Sequence, residues 1–123
     1  MYSEQVLQHF QRPHNVGEIE SADGLGRATG GARCPEDLVY IWIRVIDGRI
    51  VEIKHKTRGC PVAIAASSIT TDMALGKTLE EAAGITEEAV AAALGDLPER
   101  KLDSIAAPAA LRAAIADYES KRK

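Results

Sequence analysis

Cys60 stands in the stretch TRGCPVAIAASS, behind a β-branched run and ahead of small residues that suit a helix. Pro61 fits the first helical position, which puts Cys60 at a helix amino terminus. Unpaired backbone N–H groups and the helix dipole favour a thiolate there, with Lys56 and Arg58 near by in sequence. Such a thiolate is a ligand or a nucleophile; the competing reading is a small buried apolar residue, because free cysteine is often buried. The second cysteine, Cys34, opens the run CPED, so one loop offers a thiol with the carboxylates of Glu36 and Asp37. Asp37 alone would equally serve as a turn residue. Iron and zinc want four ligands and two thiolates leave a gap, for which His55, Asp103 and the loop carboxylates are candidates. His55 falls on the core face of a strand near Val39, where a satisfied core histidine is the better reading. Asp103 precedes the last helix and would cap it as readily as bind a metal. His9 and His14 read as surface or packing residues. No Ser-His-Asp arrangement, paired-carboxylate hydrolase signature or cofactor loop emerges.

The elements that must position these groups follow from pattern. Ser3 caps a helix to about Gln11 with Val6, Leu7 and Phe10 on one face, ended by Pro13. The glycines of HNVGEIESADGLGRATGG are best explained by turns, with one short strand around Leu25 to Thr29. LVYIWIRVIDGRIVEIKHKT is a hairpin about Asp47-Gly48. A two-residue turn would set Val39, Ile41, Ile43 and Val45 opposite Lys56, Lys54, Glu52 and Ile50, mixing core and solvent faces. A three-residue loop of Ile46, Asp47 and a left-handed Gly48 is therefore expected, pairing Ile43 with Val51 and Ile41 with Ile53. Extended outward, that register puts residue 37 opposite 57 and brings Cys34 near Cys60.

From Pro61 a helix carries Val62, Ala65, Ala66, Ile69 and Met73 on one face until Gly76. TLEEAAG and TEEAVAAALG each place Thr before acidic residues and Gly behind, the grammar of helix start and stop. A charged loop, DLPERK, leads to a last helix with Leu111, Ile115 and Tyr118 on one face. The expected fold is α+β: one domain over residues 1–123, with a small antiparallel sheet of about three strands and helices packed on one face.

Composition narrows the function classes. Fifteen basic and eighteen acidic residues, net −3, leave no basic stripe for a phosphate backbone, so nucleic acid is not an expected partner. No apolar run is long enough for a membrane span, and MYSEQVLQHF has neither a basic nor an apolar leader region, so a cytoplasmic protein is expected. Two cysteines are too few for a disulfide scaffold and point to metal, redox chemistry or burial.

Three stretches, YSEQVLQHFQRPHNVG, DGRIVEIKHKTRGCPVAIAASS and AAIADYESKR, resemble the U-type iron–sulfur cluster scaffold proteins, IscU and the NifU amino-terminal domain. The likeness spans nearly the whole chain and combines Tyr-Ser, Pro-x-Asn-Val-Gly and Thr-x-Gly-Cys with an Ala-Ile-Ala-x-Ser helix in order. The resemblance implies a site of three cysteines and an aspartate at one end of the domain. Such a site receives sulfur from a cysteine desulfurase together with iron, and holds a transient [2Fe–2S] cluster for transfer to apo iron–sulfur acceptor proteins. On this chain Cys60 matches the Thr-x-Gly-Cys cysteine and Cys34 the first one. Asp37 matches the aspartate with one residue inserted, since the family writes Cys-Gly-Asp where Cys-Pro-Glu-Asp stands here. Where the family carries His-Cys-Ser, this chain has Leu102-Asp103-Ser104, so Asp103 replaces a thiolate with a harder carboxylate. The implied ligand set is Cys34, Asp37, Cys60 and Asp103. The segment Leu97-Pro98-Glu99-Arg100-Lys101 resembles the family's Leu-Pro-Pro-Val-Lys, which implies recognition by an Hsp70-type chaperone. The scaffold itself would not be an enzyme; the desulfurase supplies the sulfur chemistry. Two other readings stay open. One is a family member that binds a single Zn or Fe ion, or none, as a protein-partner module. The other is a thiol redox protein cycling a Cys34–Cys60 disulfide, less favoured because the helix mouth lacks the second cysteine of Cys-x-x-Cys.

Overall fold

The computed structural model describes residues 3–31, 35–95 and 104–121. The order is α1 (Glu4–Gln11), β1 (Gly24–Thr29), β2 (Leu38–Ile46), β3 (Arg49–Arg58), α2 (Pro61–Ala74), α3 (Leu79–Ala83), α4 (Glu87–Ala93) and α5 (Ala107–Lys121). The three strands form one antiparallel sheet in the order β1-β2-β3, as expected of an α+β domain of this kind.

The β2–β3 register departs from expectation at its turn. Asp47 and Gly48 both have positive φ, 53° and 74°, which is a two-residue hairpin turn whose twist matches the strands. Ile46 pairs with Arg49 and Val45 with Ile50, but Arg44 then pairs with Glu52, Ile43 with Ile53 and Ile41 with His55. Val51 is the extra residue of a β-bulge and faces solvent. The two-residue turn excluded on facial grounds is thus present, because the bulge shifts β3 by one residue and returns Ile53 and His55 to the core face. The expected pairs Ile43–Val51 and Ile41–Ile53 are not formed. With Leu38 opposite Arg58, the neighbour of residue 37 beyond the ladder is Gly59 rather than residue 57.

Val39, Ile41, Ile43 and Val45 of β2, with Ile50 and Ile53 of β3, make the buried face of the sheet. Over it lie α5, against β1 and β2, and α2, against β3. Two glycines of β1 permit this. A Cβ on Gly24 would stand 2.3 Å from Ala114 O, and one on Gly26 would stand 2.2 Å from Ala114 N and 2.3 Å from Ala110 O. These are strand glycines that let the α5 backbone rest on the β1 backbone, not the turn glycines expected. Asp117 of α5 also accepts the Leu25 N–H at 2.9 Å, tying the helix to the edge strand.

Helix α2 is central, with Val62, Ala63, Ala65, Ala66, Ser67, Ser68, Thr70, Thr71 and Ala74 buried. Its expected apolar face holds for Val62, Ala65 and Ala66, whereas Ile69 and Met73 are only partly buried. Ser3 caps α1 through the Val6 N–H, at 3.1 Å. Of the expected α1 face Val6 is buried, while Leu7 and Phe10 are exposed. Thr78 and Glu81 form a reciprocal capping box on α3, and Thr86 caps α4 through the Ala89 N–H, as the sequence grammar indicates. The outer edge of β3 is covered by the HNVG segment: the His55 N–H donates to Asn15 O at 2.8 Å and the Gly17 N–H to His55 O at 2.9 Å. That is what the Pro-x-Asn-Val-Gly stretch does locally, with Asn15 at φ 61° and its side chain donating to Thr71 Oγ1 and Asp72 Oδ1.

Candidate functional site

The strand β3 delivers the chain to α2 through Gly59 and Cys60. Cys60 is the N-cap residue, in extended conformation with φ −71° and ψ 171°, and its side chain makes no capping hydrogen bond. Pro61 follows at the start of the helix, so the first turn of α2 opens toward the Cys60 side chain without a side-chain cap. The Cys60 thiol is free and half-buried, with Sγ 3.4 Å from Ser104 Oγ. Ser104 is fully buried and opens the segment leading into α5. The residue that follows Asp103 in sequence therefore touches Cys60.

Asp37 reaches the same end of the sheet. Its backbone carbonyl accepts the Gly30 N–H at 3.0 Å, closing the loop between β1 and β2. Its side chain lies against Gly59: a Cβ there would be 2.6 Å from Asp37 Oδ1 and 2.9 Å from Ala63 Cβ. The absence of a side chain at Gly59 is what lets the carboxyl group lie beside the Cys60 turn. Asp37 is 7% exposed, and its Oδ2 has no hydrogen-bond partner among the described residues. Buried carboxyl oxygens are normally satisfied, so the described residues leave this atom open to a ligand. A thiolate and a carboxylate at one helix mouth suit an iron or zinc centre with mixed S/O donors. Of the four residues singled out from sequence, Asp37 and Cys60 are brought together; Cys34 and Asp103 lie outside the described residues. So does the segment Leu97-Pro98-Glu99-Arg100-Lys101.

His55 is not in this site. It is 1% exposed on the core face; Nε2 donates to the His14 carbonyl at 2.9 Å and Nδ1 accepts from the Thr57 hydroxyl at 3.0 Å. A carbonyl can only accept, so Nε2 carries a proton, and the burial that disfavours the charged ring leaves Nδ1 as the acceptor. Burial lowers its pKa from the ordinary 6.5, outweighing the bond to His14 and the charge of Asp72, which raise it. His9 is lowered likewise, first by burial and then by the charge of His14, against Asp72. A base with a lowered folded pKa contributes stability that is full above its unfolded value and is lost as pH falls through the folded one. Urea midpoints measured between about pH 5 and 8 should therefore fall on the acid side of 6.5. The fall should be shallower in His55→Gln; an equal slope would remove His55 as its source.

His9 and His14 are partly exposed, as expected of surface or packing residues, and they also bond to α2. His9 Nδ1 is 2.7 Å from Ser68 Oγ, and His14 Nδ1 is 2.5 Å from Asp72 Oδ2. The His14 N–H also donates to Ser68 Oγ at 2.8 Å. This grouping depends on α1 packing against α2, which spacing along the chain does not reveal. The one local signal is the pair of histidines flanking the helix-ending Arg12-Pro13.

Comparison with known proteins bears on the family and the fold. The profile of the NifU-like N terminal domain matches residues 1–123. The chain is 55% identical over 122 residues to the iron-sulfur cluster assembly scaffold protein IscU 1 of Archaeoglobus fulgidus, covering 98% of this chain and 78% of that protein. It is 42% identical over 125 residues to the protein of the same description, IscU, from Escherichia coli, covering 99% and 97%. Among solved structures it resembles a putative iron-sulfur cluster assembly scaffold protein of the SUF system from Fervidobacterium islandicum, with a TM-score of 0.75 at 19% identity over 93% of this chain and 96% of that one. It also resembles the N-terminal part of a NifU-like protein from Brucella abortus, with a TM-score of 0.77 at 16% identity over 97% and 94%. At those identities the structural likeness speaks for the fold. Among the described residues, no helix is long and apolar enough to cross a membrane.

Proposed function

We infer that this chain, which belongs to the family of NifU-like N-terminal domains, is an iron–sulfur cluster assembly scaffold. Residues 1–123 act as one scaffold domain in the cytoplasm, with a transient [2Fe–2S] cluster as cargo rather than a resident cofactor. Cys60 and Cys34 supply thiolates, and Asp37 and Asp103 supply carboxylate oxygens. The observation that carries this reading is the buried Asp37 Oδ2, without a partner among the described residues, beside the uncapped helix mouth at Cys60. Carboxylates are harder donors than thiolates and hold soft iron sites less firmly, which suits a carrier that must let its cargo go. The chain performs no turnover of its own: a cysteine desulfurase brings sulfur, apo iron–sulfur proteins take the cluster, and an Hsp70-type chaperone engages Leu97-Pro98-Glu99-Arg100-Lys101.

The test is anaerobic reconstitution with iron, cysteine and a desulfurase, followed by visible absorption and by iron, sulfide and zinc analysis. Wild type should show cluster bands with matched iron and sulfide, and Cys60→Ala should lose at least about tenfold of both, given the first-row metals' dependence on thiolate donors. A second reading, a single Zn or Fe ion held by a partner-binding module, draws on Asp103 standing where the resemblance calls for a thiolate. Stoichiometric zinc without sulfide or visible bands would replace the scaffold reading with that one.

A further inference from the structure

A second group of ligating side chains lies away from Cys60, where α1 and the loop after it pack on the carboxyl-terminal half of α2. His9, His14 and Asp72 each offer one ligand atom, and these atoms lie within 4.8 Å of one another. The imidazole centroids are 4.9 Å apart and the rings are inclined at 57°, so they converge rather than stack flat. Each ligand is held from behind. Ser68 Oγ, at 2.7 Å, engages His9 Nδ1, and the opposite ring nitrogen, Nε2, is the one that would take an ion. His14 is fixed through its main chain, its N–H to Ser68 Oγ and its carbonyl to buried His55. Asn15 donates to Asp72 Oδ1 at 2.9 Å and turns Oδ2 toward His14. Supporting hydrogen bonds of this kind orient ligands in metal sites. His9 and His14 also line an open cleft with Gln8, Gln11 and Arg12, through which an ion can enter.

We propose that His9, His14 and Asp72 form a second metal site, binding one late first-row divalent cation of the zinc or cobalt type. Two imidazoles and one carboxylate are the donor set such ions take, with solvent completing the shell, whereas calcium and magnesium call for oxygen donors throughout. The site is separate from the one at Cys60. Asp72 stands twelve positions beyond Cys60 along α2, roughly 18 Å along the axis at the helical rise. An ion here joins α1, the Pro13 loop and α2, so binding stabilises the folded chain by mass action. The proposal does not depend on the cluster reading, because none of its ligands belongs to the Cys60 site.

The experiment titrates Zn²⁺ and Co²⁺ into the Cys60→Ala protein, which disables the thiolate site. It follows heat of binding, the cobalt absorption spectrum and Tm. One equivalent should bind, with cobalt bands lacking thiolate charge transfer and a rise in Tm. His14→Gln and Asp72→Asn, both at partly exposed side chains, should each weaken binding at least tenfold, and Arg27→Ala, on the solvent face of β1, should leave it unchanged. Circular dichroism checks that each variant is folded. His9→Gln takes the place of any variant that is not, with the same expected loss. Absence of binding to Cys60→Ala, or binding of equal affinity in the ligand variants, overturns the proposal; the latter would be an adventitious ion only.

Discussion

Replacing Gly26 by alanine is expected to destabilise the protein by about 3 kcal/mol or more, at the upper end of what overpacking costs. A single methyl group there meets backbone on the helix side: Ala114 N at 2.2 Å, Ala110 O at 2.3 Å and the Ala113 carbonyl carbon at 2.8 Å. A flexible side chain could swing aside, but a helix backbone cannot, so α5 must lift off β1 as a body. Lifting it also opens the contacts of Ala110, Leu111 and Ala114, all fully buried, so the overpacking adds to lost burial rather than replacing it. In an ordinary strand the same change would be favourable, since glycine loses more backbone freedom on folding than alanine. The sign of the effect thus decides whether the close approach is real. Arg27→Ala, on the opposite face of the same strand, is the internal control and should shift stability by no more than about 0.5 kcal/mol. Urea denaturation checks both. An unchanged midpoint in Gly26→Ala would mean that α5 does not rest on β1.

The same glycines show what sequence pattern conveys here and what it does not. Glycine is poor in strands by propensity, yet the short strand around Leu25 to Thr29 is legible and is β1 to within a residue; what is not legible is that its glycines make room for a helix rather than a turn. The hairpin was half legible: Asp47-Gly48 marks the turn locally, but facial consistency alone argued for a longer loop. Nature's solution adds a residue inside β3, where outward-facing Val51 and Glu52 follow one another between buried Ile50 and Ile53. Cys60 was legible because its setting is local, a strand end followed by Pro61. Asp37 came to the right place although the assumed register was wrong, because the bulge moves its expected neighbour only from residue 57 to Gly59. The grouping of His9, His14 and Asp72 was not legible at all. It arises from the docking of α1 and the Asn15 turn on α2, with Asn15 bridging to Thr71 and Asp72, and no periodicity encodes that contact.

Asp37→Asn should move stability and metal retention in opposite directions. A buried polar oxygen without a partner costs about 1–3 kcal/mol, and more if it carries charge. Asp37 Oδ2 is such an atom among the described residues, while the neighbouring oxygen is pressed toward Gly59. Converting the carboxyl to an amide of the same shape removes the charged form and should stabilise the metal-free protein by about 1 kcal/mol, read from urea denaturation in the presence of a chelator. The same change removes an anionic oxygen donor from the helix mouth. Iron and sulfide retained after reconstitution and desalting should therefore fall at least about threefold, because a neutral amide is a weaker ligand for a cationic iron centre. A purely structural carboxyl group would give the reverse pattern, a less stable metal-free protein with unaltered retention. Opposite shifts in the two measurements would mark Asp37 as a group kept for a ligand at a cost in stability rather than for the fold.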